Sequence, residues 1–205
     1  MSAIAKRGDR GVKVRVIQRM LKLYPDGIFG PLTEEAVREF QDEHQLNVTG
    51  QVDLSTWQQM FGTTLIPATS RNIKEIIVHC TATPDGRGYT VEDITRWHIE
   101  RGFATIGYHY VVYRDGSIHE GRDIDIAGAH CTGHNTCSIG VCYVGGMDKT
   151  NRYPCDTRTD AQKASLVKLL TDLRKFYPHA QIHGHRDFAA KACPSFDATR
   201  EYSSL

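Results

Sequence analysis

The chain lacks any apolar run approaching the roughly 20 residues that cross a bilayer. It also lacks a charge surplus: 25 Lys and Arg stand against 24 Asp and Glu, a formal net charge of +1. The first absence argues against a membrane partner, the second against a nucleic-acid one, because neither an apolar span nor a basic excess is available. The N-terminus, MSAIAKRGDRG, has no continuous apolar core of about 7–15 residues, so no secretory signal peptide is expected. Cytosolic synthesis is then the expectation, with any extracellular action following release. Six cysteines are present, yet without an export signal a disulfide framework is not expected. Cys131 and Cys137 are close enough in sequence to bridge, although spacing alone does not decide it.

A chain of 205 residues can form one large domain or two small ones, and the pattern along it changes once. In the first part Val12, Val16, Ile17, Met20, Leu21 and Tyr24 recur at helical spacing. PDGIFGP interrupts them with turn residues. Thr33 then reads as an N-cap before an Ala36, Val37, Phe40 stripe, and Ser55 as the cap of a short helix holding Trp57 and Phe61. This predicts a small all-α three-helix domain over 1–62. It is too small for a deep pocket and has no convergent catalytic set, so binding is its expected role. Residues 63–72 read as a linker.

From residue 73 to 205 strands and helices alternate. KEIIVH, GYHYVVYRDGSIHEGR and SIGVCYVGG read as strands, with Asp115-Gly116 as a hairpin turn. TVEDITRWHIERG and TDAQKASLVKLLTDLRKFY read as helices, the second with Leu166, Leu169, Leu170, Leu173 and Phe176 inward. AQIHGH is a last strand and FDATREY a last helix. The predicted class is α/β, a mixed central sheet flanked by helices.

The segment HGHRDFAAKACPSFD (183–197) gathers two histidines, a lysine and a cysteine, and IIVHC brings a distant His79 to a strand end. Two imidazoles and a thiolate suit zinc better than calcium or magnesium, which want oxygen. Three protein ligands leave a fourth position open, as catalytic zinc sites do. His183 and His185 are two residues apart, so strand periodicity does not choose between them.

The order GDRGVKVRVIQRML, DGIFGPLTEEAVREFQ, LNVTGQVDLSTW resembles the peptidoglycan-binding family of three-helix modules. VHCTAT, RWHIERGFATIGYHYVVYRDGSIHEGRD, GAHCTGHNTCSIGVCYVGG and HRDFAAKACPSFD resemble the N-acetylmuramoyl-L-alanine amidase family that includes the peptidoglycan recognition proteins. That resemblance implies a zinc site of His79, His185 and Cys193, with His183 set aside. It implies Tyr108 near the reacting water and Lys191 facing the reacting carbonyl as catalytic residues. His130 and His134, in GAHCTGHN, are expected to line the substrate groove. Where some members carry a glutamate as general base, this chain has Cys142. The implied partner is peptidoglycan, both glycan strand and stem peptide, attacked by a monomer. The alternative is a non-catalytic peptidoglycan-binding receptor or regulator, since some relatives bind without cutting. The presence of Cys193 favours the enzyme.

Overall fold

The computed structural model describes residues 3–10, 12–61, 69 and 71–205, with the side chain of Val12 outside the description. The chain divides into two compact units, Met1–Ser70 and Arg71–Leu205. Most of the expected linker, 63–72, lies outside the described residues.

The first unit holds α1 (Val12–Met20), α2 (Pro31–Glu43) and α3 (Leu54–Phe61) around Val14, Ile17, Phe29, Val37, Val52 and Trp57. Two expected caps move. Pro31 opens α2 after Gly30, so Thr33 lies inside the helix, buried. Asp53, whose carboxylate accepts from the Thr56 backbone at 2.8 Å, caps α3 in place of Ser55. The apolar stripe of α1 also stops short of Tyr24, which is 86% exposed, because the chain turns left-handed at Lys22.

Two buried glutamines organise this unit. Gln18 donates to Asp26, the Ile28 carbonyl and Thr33, and accepts from Gly27 N–H. At the same spacing, Gln41 donates to Thr49, the Gln51 carbonyl and Thr56, and accepts from the Thr49 and Gly50 N–H groups. Each amide thus ties one helix to the turn after it and to the next helix. A buried donor or acceptor left without its partner costs about 1–3 kcal/mol. Gln41→Leu is therefore expected to destabilise this unit by about 2 kcal/mol, read as faster hydrogen exchange of its amides in the full chain. Unchanged exchange would contradict the role.

The second unit is built on a five-stranded sheet of β1 (Glu75–Cys80), β3 (Tyr110–Val112), β4 (Ile118–Glu120), β5 (Ser138–Tyr143) and β7 (Gln181–Gly184). Its order is β4-β3-β5-β1-β7. Only β4 is antiparallel, paired to β3 through the Asp115-Gly116 hairpin, so the sheet is mixed as expected. Two short strands, β2 (Thr83–Pro84) and β6 (Gly146–Met147), form a separate ladder. Neither is expected from sequence, since two residues carry no periodicity.

Ile76, Ile77, Val78, Ile139 and Val141 are fully buried on both sheet faces, the pattern of a parallel sheet covered on each side. Helix α5 (Asp160–Phe176) buries Leu166, Leu169, Leu170, Leu173 and Phe176 as predicted, and Thr159 starts it with a capping box. Helix α4 (Val91–Glu100), capped by Thr90, contributes Ile94 to a cluster with Ile106, Val111 and Val144. The last helix, α6 (Ala198–Glu201), is capped by Asp197.

Candidate active site

Parallel strands open their carboxyl ends at one edge of a sheet, where ligand sites collect. His79 lies near that end of β1, fully buried. At the neighbouring edge β7 stops at Gly184, and His185 begins a 3-10 turn, His185–Asp187. His183 and His185 therefore do not share a strand face, which removes the ambiguity of their spacing. The loop that follows returns Cys193 to β1, where its sulfur accepts from the Cys80 N–H at 3.3 Å.

One donor atom from each of His79, His185 and Cys193 comes together, all within 4.8 Å of one another. The Cys193 sulfur and His79 Nδ1 are 3.8 Å apart. A tetrahedral zinc site needs ligand separations of roughly 3.3–3.6 Å, so a small contraction would close these three on an ion. They are the one such group among the described residues.

Burial pushes the His79 imidazole well below its usual range, and the neighbouring His130, His185 and Lys191 push it the same way. His185 is lowered as well, by burial first and Lys191 second. Both are then neutral near pH 7, the form that binds metal. The Cys193 thiol is held up, first by its hydrogen bond to Cys80 and then by burial.

Tyr108, half-buried, packs its ring 5.1 Å from His79 and 5.2 Å from His98. Burial raises its hydroxyl well above the ordinary tyrosine range, so it stays un-ionised at neutral pH. Lys191 is exposed on the returning loop and has no ion-pair partner among the described residues. Its charge nonetheless reaches His79 and His185. Cys142 pairs in register with His79 and is completely buried, its thiol pushed well up by that burial.

The two groove candidates fall in different places. His130 is buried, its Nδ1 3.0 Å from His79 Nε2, so it lies behind His79 and does not line an open groove. The physical reason is that the GAHC loop folds inward against β5. His134 is partly exposed, bonded to Glu75 at 2.8 Å and packed at a tilt against Phe188, and is not among the clustered donors. All six cysteines are free thiols, Cys131 and Cys137 included.

No sequence motif singles out His109. It is buried, accepts the Gly140 N–H on Nδ1 at 2.9 Å and donates from Nε2 to the Ile126 carbonyl. Burial, above all, lowers it to about 4 from 6.5. Between those values the unfolded chain binds a proton that the folded chain refuses, so stability contributed above pH 6.5 is lost as pH falls toward 4. Up to about 3 kcal/mol is at stake. The stability gap between wild type and His109→Gln in urea should therefore narrow from about pH 7 to about 4.5. A constant gap would contradict the assignment.

Residues 69–196 match the family described as N-acetylmuramoyl-L-alanine amidase, and residues 10–60 match the peptidoglycan binding domain family. The endolysin of Enterobacteria phage K11 is 44% identical over 126 residues, covering 62% of this chain and 83% of that protein. The endolysin of Escherichia phage T7 is 43% identical over 125 residues, 61% of this chain and 82% of that one. Among solved structures, the N-acetylmuramoyl-L-alanine amidase LysC from Clostridium intestinale URNW aligns with a TM-score of 0.54 at 28% identity. That alignment covers 64% of this chain and 82% of LysC. A match over more than half the chain, on a sheet that gathers two histidines and a cysteine at one edge, has one meaning: the chain belongs to the N-acetylmuramoyl-L-alanine amidase family and is a cell-wall lytic enzyme.

Proposed function

We propose that a zinc ion held by His79, His185 and Cys193 serves hydrolysis of the amide between N-acetylmuramic acid and the L-alanine of the stem peptide. The convergence of those three donors within 4.8 Å carries the reading. When bound, zinc supplies Lewis acidity to a carbonyl oxygen and to water at neutral pH.

The chain's own groups have distinct tasks. The Lys191 ammonium, solvent-facing, offsets charge that develops on the reacting carbonyl oxygen. Tyr108 keeps its hydroxyl proton and orients the reacting groups by hydrogen bonding. Cys142 takes no part in proton transfer, because its buried thiol resists ionisation. With no carboxylate at that position, Tyr108 and Lys191 carry the polar work.

Residues 1–62 hold the enzyme on peptidoglycan, with 63–72 joining them to the catalytic domain at 73–205. The protein acts as a monomer on the cell wall after release, contacting glycan strand and stem peptide. Among the described residues no helix is long and apolar enough to cross a membrane.

Mass spectrometry of purified peptidoglycan after digestion tests the reaction. Free stem peptides beginning with L-alanine are expected. Cleaved glycan bonds or cross-links without such stems would overturn it.

A further inference from the structure

His79 faces the metal site with Nδ1, so its Nε2 points the other way, to within 3.0 Å of His130 Nδ1. Two imidazole nitrogens at that distance share one proton, and the distance does not say which ring owns it. The next link decides. Nε2 of His130 lies 3.4 Å from the Ser138 hydroxyl, and that hydroxyl donates to the His134 carbonyl at 2.7 Å. A serine has one hydroxyl hydrogen, so toward His130 it can only accept. His130 then carries its proton on Nε2 and offers a bare Nδ1. His79 donates to it from Nε2, and its Nδ1 is left with a lone pair on the metal side.

The slot around His130 is built for this ring. A Cβ at Gly140 would lie 2.6 Å from its Cδ2, and a Cβ at Gly128 would also overlap it. Only glycine lets the backbone approach the ring so closely at these two positions. Asn135 fixes the loop, its side-chain oxygen accepting from the His130 and Cys131 N–H groups at 2.9 Å. Ser138 is fully buried at the start of β5.

We infer that His130 and Ser138 are positioning residues, a two-link relay that fixes the tautomer of His79 and so presents Nδ1 to zinc. The inference rests on the metal-site reading above. The reverse polarity, with Ser138 donating to His130, would put the proton on His79 Nδ1 and close that atom to a metal. Outer partners of this kind typically change metal affinity about 10–100-fold when removed.

Two measurements on the full chain test it. Long-range proton–nitrogen correlation spectra of the zinc-free and zinc-loaded protein should show His79 and His130 each protonated on Nε2 alone. A proton on His130 Nδ1 would overturn the relay, whatever the variants do. Zinc affinity, measured by chelator competition, should fall about 10–100-fold in His130→Phe, which fills the slot but cannot accept. His130→Gln, whose side-chain oxygen can accept from His79, should stay within a few-fold of wild type. Equal affinity in all three proteins would also overturn the relay. A wild-type chain that binds no zinc would instead sink the metal site, and the zinc-free spectrum would still decide the tautomer.

Discussion

Cys193→Ser is expected to reduce stem-peptide release to background and to leave the protein without zinc after dialysis. On a metal Cys193 would bind as a thiolate, the one anionic donor of the set, and its sulfur sits 3.8 Å from His79 Nδ1. A serine hydroxyl is shorter, harder and neutral, so two imidazoles alone would hold the ion. Lewis-acid catalysis contributes several kcal/mol to the transition state, and each ~1.36 kcal/mol is tenfold in rate. A loss of roughly 10³-fold or more follows. Zinc content by elemental analysis, beside the rate on purified wall, checks both halves. A variant that retained one zinc per chain and the wild-type rate would remove Cys193 from the site.

Lys191→Ala should separate catalysis from metal binding. Removing one positioned donor to a developing oxyanion typically costs about 10²–10³ in kcat. Lys191 contributes no donor atom to the cluster of His79, His185 and Cys193. Zinc content should therefore stay at the wild-type level while kcat falls by that factor. The charge of Lys191 helps to keep His79 and His185 neutral, but burial is the larger cause at both, so the metal-binding form persists without it. Unchanged kcat on purified wall would show that the lysine is only a solvated loop residue. Loss of zinc together with activity would mean that it supports the loop carrying Cys193.

Much of the fold was legible because the elements are strongly patterned. The Leu stripe of α5, the Asp115-Gly116 hairpin and the β-branched runs of β1 and β5 each announce one geometry locally. Helix starts were less legible in the first unit. Thr33 and Ser55 are good capping types, but Pro31 at the first helical position and Asp53 at the cap each lie two residues earlier and win. Thr33 instead accepts a hydrogen bond from Gln18, a partner that no local pattern links to it.

At the site, the residue types by themselves point to zinc, because imidazole and thiolate together suit few other ions. The choice of His185 over His183 came from resemblance, and the end of β7 at Gly184 supplies its physical reason. His130 was legible only as a histidine in a glycine-flanked loop. Its burial against His79 depends on the close approach of Gly128 and Gly140 to the ring, two positions on different segments.

The sequence by itself determined the class of fold, the donor types and the family, since composition, periodicity and motif order are properties of the chain read in line. Tertiary structure alone decided how closely those donors approach and which histidine stands behind His79. It also turns Nδ1 of His79 toward the Cys193 sulfur and Nε2 toward His130. Those are questions of distance between segments far apart in sequence, and only the packing of β1, β5 and the turn after β7 sets that distance.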